Sequence, residues 1–583
     1  MADDASSPWT SLVDSRFSDG AAALAPIPRD RQLQTMDLEL ESIQQAFVRA
    51  RRLRNMKAGP CILPAETLAH IFECLQSMWV PGRPANPPKW RFSAGWMCIT
   101  RVCSLWRQVA LNTPSLWSNP TIDVRNMPHR YIPEILRRSR SNPLHHLQLW
   151  WDGDNDVVRD VNANAWLSPT IFRRTRHLDL FVSLDLAKHV AARLPHPQEM
   201  THLHELSLVV NGGEDDDLPA AFRDLAGVTK LALETCCLPF QSAILSSGLR
   251  YLHMTLVEGC LNSYEQVMEL MTRLQSLEVL KLIDVAPHPG PTADIPAIDM
   301  PATLQRLEIC ISDSGLALHG LQFISSIRAP PACSILYEHS ALVHVLDFSD
   351  TVFLDQTLHR LCSTLSFAHQ EDREARQLEL GNTGARILSK VRRQPSESLQ
   401  QSENNETIIN TLAFPGFKRM GNPRVHFNVT DYLSSLALEH LSTLSLDVSA
   451  VRAIKRNNLW SSLLCATNVC HVGLIRSKAS LLYFAEVLDA LRKPYSSDSG
   501  EEMRALFPKL QTLGIPLDKD ETKHGELVIG LYGLIQARIE RGTPLEELIT
   551  SKEAGQWSVW NTLPASLRVT FIDCPLAKPP VPF

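Results

Sequence analysis

The sequence predicts an α/β fold in which a small all-α module is followed by a long array of parallel strands and helices. Two short segments, residues 62–75 and 99–117, carry apolar side chains at the spacing of amphipathic helices. From about residue 144 onward, leucine-rich strands recur about every 25 residues. The chain has 583 residues, more than one ordinary hydrophobic core supports, so we expect several domains or one elongated repeat domain.

Composition and charge narrow the class of protein. Hydrophobic residues make up 44% of the chain and charged residues 21%, which is typical of a globular protein. The formal net charge is −6 with both signs mixed, whereas a general nucleic-acid binder needs a concentrated positive surface. Residues 1–20 lack the pattern of a secretory signal, and no run approaches the ~18 apolar residues of a membrane span. We therefore expect neither nucleic acid nor membrane as a partner.

The cysteines indicate reduced thiols. There are 13 of them, scattered, and none shows the C-x-x-C spacing of a zinc site. We expect no bound metal and an intracellular location, cytoplasmic or nuclear or both. The acidic run GEDDDLP, residues 213–219, is interpreted as a solvated loop, with a cation site as the alternative.

The first 57 residues are predicted to contain one helix. Residues 1–30 are rich in Ala, Ser, Asp and Pro without periodicity, which predicts a disordered tail. Residues 31–57 are predicted to form an amphipathic helix, because apolar residues there step by three and four. These residues are Leu33, Met36, Leu40, Ile43, Phe47 and Ala50. Arginines at the end of this segment complement the helix dipole, and a nuclear-import or nucleic-acid role is the alternative.

The leucine-rich strands have the form L-x-x-L-x-L. The clearest copies are LHELSLVV, VTKLALET, LRYLHMTL, LEVLKLID and LQRLEICI, starting at residues 203, 228, 249, 277 and 304. Helical stretches such as residues 262–275 lie between them. A strand and a helix every 20 to 29 residues indicate a curved leucine-rich-repeat-like solenoid of parallel strands plus helices. An ordinary α/β domain is the alternative.

The second half continues this pattern less regularly. Strand-like pieces begin at residues 441, 469, 510 and 567, so the longer intervals need extra helices or loops. Polar stretches near residues 393–407 and 496–502 are predicted to be disordered insertions. We interpret residues 126–583 as one solenoid, with a separate C-terminal domain as the alternative.

Residues 58–125 contain the predicted all-α module. Pro64 stands where the first helix begins, since its missing N–H has no helical partner there. Apolar stripes follow in both helices, and Pro114 stops the second. The stripes are Leu68, Ile71, Phe72 and Leu75, then Ile99, Val102, Cys103, Trp106 and Ala110. A fragment of this size cannot bury all of these apolar side chains by itself. We therefore expect the rest of the chain or a partner protein to cover some of them.

These residues resemble the F-box family. Its motif is L-P-x-E-[IL]-[LIV] with an Ile-Phe one turn on, then V-C-[RK]-x-W-[RK]-x-[LVIA]-[AS], and then a Pro and a Leu-Trp. The matching residues are Leu63, Pro64, Glu66, Leu68, Ile71, Phe72, Val102, Cys103, Trp106, Arg107, Ala110, Pro114, Leu116 and Trp117. The resemblance covers about residues 60–120 and is closest to F-box-like proteins abundant in mushroom-forming fungi. In those, a heptad-like helix precedes the box and irregular leucine-rich repeats follow. Thr67, in place of Ile or Leu, and the long linker 76–96, predicted to be a loop, depart from the motif.

The resemblance implies a substrate-receptor subunit of an SCF-type cullin–RING ubiquitin ligase. The F-box would dock on the Skp adaptor protein, and the repeats would bind a target protein. Carried over position by position, the adaptor-binding residues are Leu63, Pro64, Leu68, Ile71, Val102 and Trp106. Phe72, Cys103 and Trp117 are assigned to internal packing. The alternative is a non-catalytic interaction scaffold with a degenerate F-box that does not join a ligase.

Nothing in the sequence supports catalysis. The chain has no Walker-type phosphate loop, G-x-G-x-x-G fingerprint, H-E-x-x-H helix or G-x-S-x-G elbow. His145 and His146 are adjacent, so they point to opposite faces of a strand and do not share a metal. We expect no enzyme activity, no catalytic residue and no cofactor.

Overall fold

The computed structural model divides the chain into two compact units. The first comprises Met1–Trp150 with Asp156–His177, and the second comprises Trp151–Asn155 with Leu178–Phe583. Residues 126–150 and 156–177, assigned to the repeats from sequence, thus cluster with the box. The structure describes residues 8–18, 28–57, 59–82, 92–151, 160–211, 217–257, 261–288, 295–313, 316–330, 333–339, 343–344, 348–365, 376–381, 384–388, 408–413, 419–420, 429–436, 438–475, 482–496 and 503–573. The predicted insertion at 393–407, and that at 496–502 apart from Ser496, lie outside these residues.

The first unit is mostly helical. Its helices are α1 (Pro8–Phe17), α2 (Arg29–Met56), α3 (Ala65–Met78), α4 (Ser104–Asn112), α5 (Ser115–Ser118), α6 (Ile132–Ser139), α7 (Val161–Trp166) and α8 (Pro169–Phe172). Its strands are β1 (Thr121–Asp123) and β2 (Leu144–Trp150), which pair in parallel, and β3 (Thr175–Ser183) begins in it. Arg174 fixes the end of α6 by donating to the carbonyl oxygens of Leu136 and Asn142 and to Ser139 Oγ.

Helix α1 corrects the prediction of a disordered tail over residues 1–30. Trp9, Leu12, Val13 and Phe17 recur at helical spacing within a stretch of unremarkable composition. Arg16 of α1 forms an ion pair with Glu39 of α2 at 3.2 Å. The predicted helix over 31–57 is α2, which begins two residues earlier, after Pro28.

The second unit is mixed α/β. Its helices are α9 (Leu184–Ala191), α10 (Ala220–Arg223), α11 (Tyr264–Arg273), α12 (Ala317–Ser326), α13 (Phe348–Leu365), α14 (Val448–Arg456), α15 (Leu482–Arg492) and α16 (Gly525–Glu540). Its strands, after β3, are β4 (Glu205–Asn211), β5 (Lys230–Glu234), β6 (Tyr251–Thr255), β7 (Val279–Ile283), β8 (Ile298–Asp299), β9 (Arg306–Ile311), β10 (Ile327–Arg328), β11 (Ser334–His339), β12 (Val343–His344), β13 (Arg376–Leu380), β14 (Gly384–Leu388), β15 (Ile408–Ala413), β16 (Arg419–Met420), β17 (Leu441–Asp447), β18 (His471–Ile475), β19 (Pro494–Ser496), β20 (Met503–Ala505), β21 (Thr512–Ile515), β22 (Glu547–Ser551) and β23 (Arg568–Ile572). The predicted α/β class is confirmed, with a large parallel sheet and many helices.

The predicted leucine-rich strands pair in parallel and in register. Strands β4, β5, β6, β7, β9 and β11 follow one another in this way, and β17, β18, β21, β22 and β23 do so in the second half. The register aligns one buried ladder through Leu206, Leu231, Leu252, Leu280, Leu307 and Ile335. Alternate side chains of a strand face one side, so the L-x-L spacing places these leucines in one core.

Three features differ from the sequence expectation. The strands between β11 and β17 are not all parallel, because β14 pairs antiparallel with both β13 and β15. Strand β22 and helix α16 fill the long interval before residue 567. The repeats do not each carry a helix, since no helix separates β5 from β6. None of the described helices combines the length and apolarity needed to cross a membrane.

Candidate docking site

Helix α3 of the first unit begins where the sequence predicted. Pro64 precedes its first residue, and the carbonyl oxygen of Pro64 accepts from the N–H of Leu68 at 3.0 Å. The buried side of α3 carries Leu68 and Phe72, each 1% exposed. Their i, i+4 spacing places both on one face, so α3 is anchored by two large apolar groups one turn apart.

The second segment forms two elements rather than one helix. Residues Gly95–Arg101 are a 3-10 helix that contains Ile99, and α4 starts only at Ser104. Cys103 is the N-cap of α4, and its Sγ accepts from the N–H of Trp106 at 3.4 Å. A thiol thus satisfies one of the helix N–H groups that lack an internal partner. Helix α4 ends at Asn112, two residues before Pro114, and it buries Val109, which lay outside the predicted stripe.

Aromatic pairs hold the helices of the box together. Phe72 of α3 meets Trp106 of α4 edge to face, with ring centroids 5.2 Å apart. Trp96 and Trp117 make a second edge-to-face pair at 5.1 Å, and Trp117 Nε1 donates to the carbonyl oxygen of Ala110 at 2.8 Å. Each such pair contributes about 0.5–1.5 kcal/mol beyond the area it buries. Phe72 and Trp117 therefore pack internally.

Polar bonds connect α3 with the later part of the box. Gln76 Nε2 donates to the carbonyl oxygen of Leu116 at 2.7 Å, and Ser115 Oγ donates to Glu73 at 2.7 Å. The Arg138 guanidinium lies 4.2 Å from the centre of the Trp117 ring. Burial lowers the pKa of Arg138, against the opposing effect of the Glu134 carboxylate. These contacts fix α3 on the rest of its unit.

Gly95 lies where the linker after α3 returns to contact the end of that helix. Its φ is +52°, and a Cβ built on it would lie 2.5 Å from the carbonyl oxygen of Trp79. Gly82 and Ser93 form an antiparallel bridge at the base of the linker, whose residues 83–91 lie outside the described part of the chain. Only glycine fits this return without moving backbone.

One apolar surface of the box faces solvent. We call it the docking face and define it by Ile62, Leu63, Pro64, Ile71 and Val102. Their exposed fractions are 71% for Ile62, 38% for Leu63, 44% for Ile71 and 58% for Val102, and Pro64 is exposed. Single exposed apolar residues are ordinary on a protein surface, but a group of this kind is typical of an interaction site.

A contact between two thiols joins the two ends of the docking face. Cys61 Sγ and Cys103 Sγ lie 3.7 Å apart. Since Ile62 follows Cys61 and Val102 precedes Cys103, this contact places the two exposed side chains on neighbouring segments. Burial, and then the hydrogen bond with Cys103, raises the pKa of the Cys61 thiol. At neutral pH Cys61 is therefore a neutral thiol beside the face, so the face carries no charge there.

The six adaptor-binding residues carried over from the F-box motif separate into two groups. Leu63, Pro64, Ile71 and Val102 are exposed, as contact residues must be. Leu68, at 1% exposure, belongs to the core of the box, and Trp106 is half-buried against Phe72. These two side chains support the docking face from beneath.

The structure also extends the exposed side of α3. Thr67, Ile71, Cys74 and Met78 are all exposed, at steps of four, three and four along the helix. Met78 is 82% exposed. The exposed residues of α3 thus form a second stripe at helical spacing beside the buried one. Thr67, the departure from the F-box motif, is the first residue of this open stripe.

The second unit offers a different accessible surface, which we call the open sheet face. Between the buried ladders of β4 to β11 lie half-exposed side chains in one aligned row: Ser207, Ala232, His253, Lys281 and Leu336. Glu308, in the same row, is 7% exposed and forms ion pairs with Arg306 and, at 3.7 Å, with Lys281. By contrast, every residue of β21 and β22 is buried, so those strands expose neither side.

Metal-binding residue types do not cluster in the part of the chain that the structure describes. No group of three or more His, Cys, Asp or Glu side chains is placed to hold a metal ion there. The imidazole rings of His146 and His177 stack with their centres 4.2 Å apart, which is a packing contact within the first unit. The docking face and the open sheet face are two accessible surfaces among the described residues.

Comparison with known proteins gives no family for the chain. No family model matches it, and no curated protein sequence matches it significantly.

Proposed function

We propose that the protein is a substrate receptor that docks on the Skp adaptor of an SCF-type cullin–RING ubiquitin ligase through its docking face. The second unit, as a leucine-rich-repeat-like solenoid, binds the target protein. The chain itself catalyses nothing and transfers no ubiquitin; it brings a target to the ligase. The resemblance of the box to the F-box motif motivates this reading.

One observation carries the proposal: the apolar residues at the beginning of α3 are open to solvent. Single exposed apolar side chains are ordinary on a folded protein, whereas a cluster of them is typical of an interaction site. Burying the rest of a Leu or Ile side chain that is about 40% exposed stabilises a complex by about 1 kcal/mol, at about 0.8 kcal/mol per CH₂. Four such residues together supply about 4 to 5 kcal/mol, which is enough to form the centre of an interface.

The open sheet face supports the target-binding part of the proposal. Its aligned row combines apolar, basic and imidazole side chains on a rigid parallel sheet. Burial, aided by Lys281, lowers the pKa of His253, so this imidazole is neutral at pH 7. Because β21 and β22 are buried on both sides, we assign target binding to β4 to β11 rather than to the second half.

A binding measurement with a purified Skp adaptor tests the docking. We expect wild-type protein to bind and the double variant Leu63→Ala/Pro64→Ala to lose most of its affinity while its melting temperature is retained. Val161→Ala is the matched control, because Val161 is 71% exposed in the same unit but lies outside the docking face. Failure of the wild-type protein to bind refutes the receptor proposal.

The competing function is a scaffold with a degenerate F-box. The observation that favours it is Thr67, an exposed polar residue in the first turn of α3, one turn before Ile71. Replacing Thr67 with Leu distinguishes the two: if adaptor binding appears only in Thr67→Leu, the natural protein is the scaffold. If Thr67→Leu merely tightens binding that the wild type already shows, the receptor proposal is retained.

A further inference from the structure

Helices α1 and α2 form a segment without a core. Neither helix buries a single residue, although α2 is 28 residues long. A long isolated helix in water is only marginally stable unless an apolar side packs against something. The exposed apolar residues of this segment include Trp9, Leu33, Leu40, Phe47 and Leu53.

Three of the exposed apolar residues of α2 follow a heptad spacing. Leu33, Leu40 and Phe47 are seven residues apart, at 60%, 54% and 53% exposure, and Met36, Ile43 and Ala50 lie between them at the complementary positions. We call these six residues the α2 seam. Alternating steps of three and four over two and a half heptads are typical of a two-helix coiled coil.

The charges along α2 are segregated. Residues 29–41 contain Asp30, Asp37, Glu39 and Glu41 with two arginines, for a net charge of −2. Residues 42–56 contain four arginines and no acidic residue, for a net charge of +4. A parallel pair of identical helices would place the two basic ends side by side, whereas an antiparallel pair places each basic end against an acidic one.

We propose that the protein self-associates through α2, whose seam packs against the α2 seam of a second copy in the antiparallel direction. In this alignment Leu33 faces Ala50 of the second copy, Leu40 faces Ile43, and Phe47 faces Met36. The pairing is self-complementary, as a two-fold symmetric interface requires. The dimer doubles the number of docking faces and open sheet faces in one particle.

The chain covers the α2 seam only in part, since Met36 and Ile43 are half-buried whereas Leu33, Leu40 and Phe47 are exposed. Arg16 of α1 pairs with Glu39, which flanks the seam on one side. On the other side the Arg51 guanidinium lies 4.1 Å from the centre of the ring of Phe47, a seam residue. Asp37, on that same side, is exposed at the acidic end. This side of α2 therefore carries Asp37 toward its N-terminus and Arg51 toward its C-terminus. In an antiparallel pair, the acidic end of one helix lies beside the basic end of the other.

Sedimentation velocity of the full-length protein tests the seam. We expect wild type to be dimeric at concentrations of tens of micromolar and Leu40→Asp/Phe47→Asp to be monomeric. Gln34→Asp/Gln45→Asp adds the same charge on the outer side of α2 and keeps the dimer. A monomeric wild type, or a seam variant that still dimerises, overturns the proposal.

A charge reversal tests the direction. Arg51→Glu/Arg52→Glu removes the attraction between basic and acidic ends in the antiparallel pair, so we expect the dimer dissociation constant to rise about tenfold at low salt. In a parallel pair the same change relieves repulsion between the basic ends. Tighter association of this variant therefore overturns the antiparallel arrangement. These measurements do not depend on adaptor binding, so they stand or fall separately from the proposed function.

Discussion

Two residues three positions apart on α3, Leu68 and Ile71, allow folding and docking to be separated. Both are branched apolar side chains in the same helix, and both belong to the predicted F-box stripe. Leu68 is 1% exposed and Ile71 is 44% exposed. Substituting each with alanine removes a similar volume, so the two variants differ only in which surface loses it.

The structure gives a different size for each effect. Leu68→Ala leaves a cavity in a closed core, which costs about 3 kcal/mol of unfolding free energy. For a unit of about 170 residues this lowers the melting temperature by about 6 to 12 °C. Ile71→Ala costs less than about 1 kcal/mol of stability, since much of the side chain is already in water. Without the Ile71 side chain, the complex with the adaptor loses about 1 kcal/mol of apolar burial, which weakens adaptor binding about fivefold.

Thermal unfolding followed by circular dichroism, together with isothermal titration with the adaptor well below the melting temperature, measures both quantities. We expect Leu68→Ala to shift the melting curve with little change in adaptor affinity, and Ile71→Ala to do the reverse. A Leu68→Ala protein with an unchanged melting temperature and weakened binding would refute the reasoning, because Leu68 would then belong to the contact surface.

Three further predictions concern stability. Gly95→Ala is expected to cost about 2 kcal/mol or more, through the positive φ and the contact with the Trp79 carbonyl, whereas Gly59→Ala, whose added Cβ meets no described atom within 4 Å, serves as its control in a thermal melt. The free energy of unfolding is expected to fall as the pH is lowered from 7.5 to 5.5, and urea titrations at each pH will measure it. Burial lowers the folded-state pKa of several histidines below the unfolded value of about 6.5. The stability that these neutral histidines contribute is therefore complete above pH 6.5 and is lost as the pH falls from 6.5 toward the folded-state pKa. These histidines are His189, His253, His319, His339 and His471. Arg538 is 1% exposed, burial lowers its pKa to about 10, and it donates to the Phe507 carbonyl oxygen at 2.6 Å. Arg538→Ala is expected to destabilise the protein by about 2 kcal/mol more than Arg538→Met, because methionine keeps the apolar stem of the side chain. Equal melting temperatures for the two variants would contradict this.

The sheet was predictable wherever the leucine pattern was complete. Strands β4, β5, β6, β7 and β9 fall on the predicted segments because L-x-L spacing fixes one buried side, and in-register neighbours then align their leucines. Strand β22 was missed because Thr550 replaces the third leucine of its repeat, although Thr550 is 1% exposed. The antiparallel strand β14 was missed for another reason. The sequence GNTG at 381–384, which ends in the first residue of β14, carries a hairpin signal, but this region was interpreted only by repeat spacing.

The docking face shows where periodicity stops being informative. Spacing on α3 groups Leu68, Ile71 and Phe72 into one stripe about 100° wide, and nothing in that spacing says which edge of the stripe is covered. The cover is supplied by α4, which reaches Phe72 through Trp106, and by the bond from Gln76 to Leu116. Both contacts cross more than thirty residues of sequence. They close the side of Leu68 and Phe72 and leave Ile71 at the rim, so whether Ile71 contacts a partner depends on long-range packing that the local pattern of α3 does not encode.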